Sequence, residues 1–512
     1  MAVPRTGSTE PTSKPRLVWS IPLPDHRRGK RFVDFQSDVT VEDVELAVRE
    51  GYTSVEHVKR YTALGMGTDQ GKTSNVNGIG ILAALLKADI PSVGTTTFRP
   101  AYTAVTLGAL AGRESSVRFD PVRKSPLHYW HVEAGAVFMP TGLWFRAKYY
   151  PLSAETMAEA VQREARNVRS KVGMADVSTL GKIDVQGADA AEFLNRVYIN
   201  EWSTLKVGRA RYGVMLREDG VVFDDGTTTR LSENHFHMTT TTSNAARVME
   251  HLEYHLQVTW RDLDVHLTSV TDQWAAMALA GPHSRKVLEA AFPQIDVSNE
   301  ALPFMGFVEA DINDITVRVF RISFSGELAY EINVPADYGV KVWTDLMNAG
   351  KPFGIAPYGL EAMEVLRIEK GHLVGGAEID GRVSPIDLGF EKMLSQKKHF
   401  IGKGALARPA FHEPARQQLV GLVPADGKTP IPIGAQLVES LEAIKPGAGQ
   451  GRVTSVHFSP MLNSPIALAL LSGGRNRHGE KLFAVSPLTN QQLWVTVTQP
   501  VFYDPKGERL RD

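Results

Sequence analysis

Cysteine is absent from all 512 residues. That excludes disulfides, thiol nucleophiles and cysteinyl iron–sulfur or zinc sites within the chain. It leaves His/carboxylate metal sites open. Long apolar runs are missing as well, and none approaches the roughly 20 residues a spanning helix needs. Charge of one sign is not in excess either, with 56 Lys+Arg against 57 Asp+Glu. Neither nucleic acid nor a membrane is therefore an expected partner. The opening MAVPRTGSTEPTSKPR lacks the apolar segment of a secretory signal. It reads as a flexible tail, and cytoplasm is the default compartment.

Several motifs are missing too. GMGTDQG at 65–71 fails GxGxxG because its third glycine comes one position late, and it follows a helical pattern instead of a strand. GAGQG at 447–451 has no following helix and reads as a turn. There is no P-loop, no GxSxG and no HExxH. His235 and His237 would share one face of a strand. A polar strand edge is the ordinary reading of that pair, and no metal ligand is assigned.

What is present divides into segments of different texture. Length alone implies more than one core. Residues 1–30 are the tail. Residues 31–90 form a small helical domain: Thr40 caps one helix that Gly51 ends, Ser54 caps a second that stops at Gly65, and Ile81, Leu82, Leu85 and Leu86 stripe a third before Pro91. Residues 91–124 are a connector rich in Pro, Gly and aromatics. Residues 125–400 mix helical patterns (153–172, 187–197, 243–256, 337–349) with β-rich runs (181–185, 221–231, 235–242, 275–281, 315–323, 329–334), which argues an α+β fold. Residues 401–512 carry short, closely spaced strands and read as a β-barrel or sandwich.

Three clusters carry chemistry. In VVFDDGTTTRL, Asp224 and Asp225 would point to opposite faces of a strand, so one carboxylate can line a cleft and handle protons at a nitrogen. Asp-Asp-Gly is also good turn chemistry, and read alone the turn is favoured. In FSGELAYEINV, Glu331 interrupts an apolar strand and needs a partner. A guanidine-like heterocycle edge would satisfy it, as would an arginine such as Arg321, the ordinary choice. In GLEAMEVLRIEKG, Arg367 and Glu369 read as a solvated helix face.

Taken in order, the segments resemble a known family. SPLHYWHVEAGAVF, GMADVSTLGKIDVQGADAAEFLN, RYGVML, DGVVFDDG, LAGPHSR, FSGELAYEI, KKHFIGKGAL and HFSPMLNSPIALALL resemble the glycine-cleavage T-protein (aminomethyltransferase) family from about Ser125 onward. The stretch from Phe32 to Asn75, with TTTFRP and DVSTLGKIDVQG, resembles one branch more closely: the C-terminal half of the α subunit of heterotetrameric sarcosine oxidase. Residues 31–90 also resemble small [2Fe-2S] domains whose cysteines fall at Asp34, Gln36, Asp69 and Ser74, so the scaffold is expected without a cluster.

The resemblance implies an aminomethyltransferase-type folate-binding domain with a C-terminal β-barrel, preceded by a small helical domain. It implies tetrahydrofolate as cofactor, with FAD or FMN and NAD only on partner chains of a hetero-oligomeric oxidase. Asp225 matches the family's catalytic aspartate, Tyr212 its pterin-contacting tyrosine and Glu331, not Glu327, its pterin-binding glutamate. A folate-contacting asparagine falls at Thr240, an alteration that weakens that contact. A helix arginine near the family's aminomethyl carrier falls at Met363, which argues against a lipoylated carrier protein as partner. The implied activity is capture of the one-carbon unit from oxidative demethylation of sarcosine or a similar N-methyl amine as 5,10-methylenetetrahydrofolate. The alternatives are a free-standing folate-dependent aminomethyltransferase or demethylase, and a non-catalytic structural subunit of an oxidase complex.

Overall fold

The computed structural model describes residues 16–25, 29–100, 102–113, 121–443 and 447–512. Most of the expected N-terminal tail (1–15 and 26–28) lies outside the described residues, as do residues 101 and 114–120 of the connector. The chain divides into two compact units, Met1–Pro121 and Val122–Asp512. Among the described residues no helix is long and apolar enough to cross a membrane.

The first unit is built on helices Val41–Arg49, Val55–Thr62 and Asn75–Leu86 beside a two-stranded ribbon, Phe32–Asp34 with Val39–Thr40. Thr40 and Asp43 form a reciprocal capping box, which fixes where the first helix starts. Ser54 precedes the second helix, but its side chain makes no capping bond. Of the expected apolar stripe on the third helix, Ile81 and Leu82 join the core with Val44, Val58 and Leu64, whereas Leu85 is exposed. The four positions matched to cysteines converge. The buried Asp34 carboxylate accepts from Gln36 N (2.9 Å), Gly65 N (2.7 Å) and Ser74 Oγ (3.3 Å), and Gln36 Oε1 accepts from Asp69 N (3.2 Å). Hydrogen bonds thus join the loops there.

The second unit holds two large sheets that each bury one face under helices. The five-stranded sheet runs in the order His266–Ser269, Gly181–Gln186, His235–Thr240, Val222–Ser232, Arg209–Leu216. One face, with Ile183, Val185, Phe236 and Met238, packs on helices Ala190–Val197 and Ala245–Tyr254. The six-stranded sheet runs Phe307–Ile312, Ile315–Phe320, Ala329–Pro335, Trp274–Ala280, Val172–Asp176, Ile355–Pro357. Its apolar face, with Met277, Val319, Tyr330 and Ile332, packs on Trp343 and Leu346 of helix Gly339–Gly350. The remaining faces of the two sheets look toward each other, and His237 stacks on Phe320 between them at 5.9 Å. Residues Gln417–Thr498 close a six-stranded antiparallel barrel. The α+β class and the barrel are as the sequence implied.

One expectation fails in the core. Helix Leu360–Lys370 is not a solvated face: Arg367 and Glu369 are buried. Arg367 pairs with Glu378 (2.9 Å) and donates to Ser455 Oγ of a barrel strand (2.7 Å). Glu369 receives Arg169 (2.7 Å) and Ser459 Oγ (2.5 Å). The helix is wedged against the barrel, so beyond the pairing of Arg367 with Glu364 of the same helix these charges are satisfied by partners outside it instead of water.

Candidate functional site

Asp224 and Asp225 stand within the strand Val222–Ser232, so the turn reading of Asp-Asp-Gly is overturned. The reason is steric and local. Gly226 lies in register with Gly213, and a Cβ there would strike the Thr239 carbonyl of the next strand. Glycine serves close strand approach here, not a reversal. Strand alternation then splits the pair. Asp224 turns toward the start of helix Ala245–Tyr254, where Thr241 N and Asn244 Nδ2 donate to it, each at 3.2 Å. Asp225 turns to the face between the sheets and accepts from the Tyr212 hydroxyl at 2.7 Å.

Electrostatics set this pair apart. Burial lifts the Asp225 carboxyl to about 7, the Asp224 charge adds to the rise, and the Tyr212 hydrogen bond opposes it. Burial lifts Asp224 to about 6 against the bonds from Thr241 and Asn244. Such a carboxylate is half-ionised near neutrality and can both take and return a proton.

Glu331 sits across the inter-sheet space, in register with Phe320 and Ala278. The arginine expected for it is engaged elsewhere: Arg321 donates to Leu302 O (3.0 Å) and Asp512 O (2.9 Å). Glu327, by contrast, is consumed by Arg169 (2.9 Å) and Arg509 (2.7 Å). Burial raises the Glu331 carboxyl, opposed by the charge of Lys182 and the amide of Asn333. Lys182 comes from the facing sheet, in register with Thr239, and burial lowers its ammonium to about 8.

Thr240 is not brought to this face. It lies in register with Gly181, where a Cβ would strike Thr240 Oγ1 and Ala245 of the helix. Thr240 is thus buried on the Asp224 side of the sheet, while its neighbour Thr239 shares the Asp225 side through a 3.0 Å contact with Thr227 Oγ1. The structure therefore joins Tyr212 to Asp225, sets Glu331 on the opposing sheet and separates Thr240 from all three.

Residues the sequence reading passed over complete the picture. Asn333, two positions from Glu331 and so on its face, is fully buried; its side-chain amide stands close enough to Glu331 to favour the ionised carboxyl, but among the described residues it makes no hydrogen bond of normal geometry. His237 is buried, and among the described residues its Nε2 has no hydrogen-bond partner, while its Nδ1 meets Asp184 at 2.6 Å. His235 reaches the same carboxylate at 3.0 Å, so Asp184 is the shared partner of both rings. The period-two spacing of Glu331 and Asn333 was the available signal. Buried amide and imidazole groups on facing sheets suit a flat, polar, multiply hydrogen-bonding ligand. A separate surface cleft of about 360 Å³, lined by Lys124, Trp144, Asp272 and Asp337 among others, contains none of Asp225, Tyr212, Thr240 or Glu331.

A two-sheet α+β unit with a carboxylate–tyrosine pair between the sheets and a barrel appended defines a class. Residues 127–398 match the GCVT N-terminal domain and residues 417–504 the glycine cleavage T-protein C-terminal barrel domain. The chain belongs to the glycine-cleavage T-protein family. An aminomethyltransferase of Corynebacterium aurimucosum is 32% identical over 352 residues, covering 68% of this chain and 89% of that one. The solved aminomethyltransferase T of the glycine cleavage system from Bartonella henselae superposes with TM-score 0.65 at 27% identity, covering 75% of this chain and 99% of that one. Residues 28–113 match the sarcosine oxidase A3 domain. The sarcosine oxidase subunit alpha of Rhizobium meliloti is 51% identical over 514 residues, covering 100% of this chain and 52% of that protein. The chain thus spans about half the length of the sarcosine oxidase relatives it matches.

Proposed function

We propose that the space between the two sheets binds tetrahydrofolate, and that this chain serves a sarcosine-oxidase-type complex by capturing the one-carbon unit of an N-methyl amine as 5,10-methylenetetrahydrofolate. Flavin and dinucleotide are assigned to partner chains. The observation that carries the reading is the Tyr212–Asp225 pair at 2.7 Å facing a sheet that offers Glu331 and, beside it, the buried Asn333 amide. Tetrahydrofolate, when bound, supplies a nucleophilic ring nitrogen. Glu331 would accept two hydrogen bonds from an amino-pyrimidine edge, and Asn333 would take a further donor and acceptor. Asp225 would take up and return the proton at the reacting nitrogen, with Tyr212 holding the carboxylate in place. Burial between sheets excludes water from a reactive one-carbon unit. Similarity to sarcosine oxidase α subunits over the full chain supports an N-methyl amine as the source.

The reading is tested by the fate of the carbon. A complex reconstituted with its oxidase subunits should convert the amine's methyl group to methylenetetrahydrofolate when folate is present. Release of all of it as free formaldehyde would count against the proposal.

The pH profile offers a sharper check. Asp225 works as a base when ionised, so folate-linked transfer should rise as pH increases through about 7. Asp224→Asn removes the neighbouring negative charge, lowers the Asp225 pKa and should move this acid limb to lower pH. A limb that stays put or moves up would contradict the coupling.

A further inference from the structure

His251 and His255 lie one turn apart, the second at the point where helix Ala245–Tyr254 passes into the π-turn His255–Thr259. Residues four apart on a helix project to one side, and π-turns recur at functional sites. Glu218 reaches the same spot from the turn between strands Arg209–Leu216 and Val222–Ser232. We propose that Glu218, His251 and His255 form a site for a divalent transition-metal ion, with Zn²⁺ as the best-suited occupant.

The geometry supports it directly. One ligand atom from each of the three residues lies within 4.8 Å of the other two. His255 Nε2 stands 3.6 Å from Glu218 Oε1, and the two imidazole rings meet edge to face at 4.6 Å. Among the described residues the Nε2 atoms of both histidines are buried without a hydrogen-bond partner, and His255 is 5% exposed. Buried donors and acceptors are seldom left unpaired without a reason. His255 Nδ1 contacts Thr259 Oγ1 at 3.3 Å, the kind of bond that orients a ligating imidazole.

The chemistry agrees. A neutral imidazole offers a ring-nitrogen lone pair to a metal ion. Two imidazoles and a carboxylate, with no thiolate, suit Zn²⁺, and three protein ligands leave a fourth position for water. Zinc ligands at about 2.0–2.1 Å from the ion stand closer together than 4.8 Å, so the site must tighten on binding. The Glu218 side chain, 71% exposed on a turn, can supply that movement.

The position gives the ion a role. Phe223, next to Asp224, packs on His251 at 4.8 Å, and Asn244 near the start of the same helix donates to Asp224 at 3.2 Å. An ion joining Glu218 to the two histidines would clamp the turn that feeds the Asp224–Asp225 strand to the helix behind it. The inference stands on these residues alone and does not depend on the folate reading.

The test is a calorimetric titration of the tag-free, EDTA-treated full chain with Zn²⁺. Saturable binding at a single site is expected, with a rise in melting temperature as the ion is added. Glu218→Gln and His251→Gln should each weaken binding by about tenfold or more. Glu218 is exposed, so its variant reports on the site even if the histidine variant fails to fold. No saturable binding by the unaltered chain, or Zn²⁺ affinity unchanged in Glu218→Gln, would overturn the proposal.

Discussion

Asp225→Ala is expected to cut formation of methylenetetrahydrofolate by about 10²-fold or more while leaving amine oxidation by the reconstituted complex intact. The two outputs separate because the carboxylate lies in the inter-sheet space of this chain, and the flavin chemistry is assigned to partner subunits. Its tuned basicity comes from burial and from the Asp224 charge, and Ala removes the base without removing the space. The lost product should reappear as free formaldehyde. The measurement is a paired assay of oxidant consumption and folate product from one preparation. Equal loss of both would mean that Asp225 supports the assembly and not the transfer.

The second large effect is on stability. Arg169 is fully buried and binds Glu369 (2.7 Å), Glu327 (2.9 Å) and the carbonyl of Ser325 (2.8 Å). Glu369 in turn accepts from Ser459 of the barrel, and its backbone carbonyl accepts from Phe502 N and Tyr503 N, each at 2.9 Å. One guanidinium thus joins helix Met157–Ser170, helix Leu360–Lys370, the barrel and the C-terminal segment. Arg169→Met should destabilise the chain by about 3–5 kcal/mol, because it strands two buried carboxylates with reduced compensation. Burial already raises the Glu327 carboxyl with two arginines beside it. Without Arg169 the folded-state Glu327 carboxyl, already raised by burial, takes a proton more readily than in the unfolded chain, so the variant's stability falls as pH rises. The deficit relative to the unaltered chain should therefore be smaller at pH 5 than at pH 8. Denaturant unfolding at both pH values measures it, and a deficit under 1 kcal/mol at pH 8 would show that the network is not holding these elements together.

Local pattern made much of this fold legible. The runs QQLVGLVP and GRVTSVHFS coincide with barrel strands Gln417–Pro424 and Gly451–Ser459, because short β-branched, apolar runs and the turn residues that bound them are written in adjacent positions. Thr40 announced its capping box for the same reason. What sequence could not show was pairing between distant segments. Asp-Asp-Gly looked like a turn because the strand that forbids a Cβ at Gly226 lies beyond it in sequence. Arg367 and Glu369 looked solvated because their partners, Glu378 and Ser459, come from outside the helix. Glu331 invited an arginine, yet Arg321 is held by Asp512 O and Leu302 O. His251 and His255 carried a helical spacing that the absence of HExxH obscured, since their third ligand comes from a turn more than thirty residues earlier.

In the proposed function a folate is held between the two sheets, with Glu331 on one and Asp225 on the other, and calorimetric titration of the full chain with tetrahydrofolate is the test. One equivalent should bind, and Glu331→Gln, which keeps the shape but removes the charge, should weaken binding by about tenfold or more, the size of a lost charge-assisted hydrogen bond. Absence of binding by the unaltered chain, or affinity unchanged in Glu331→Gln, would contradict the account.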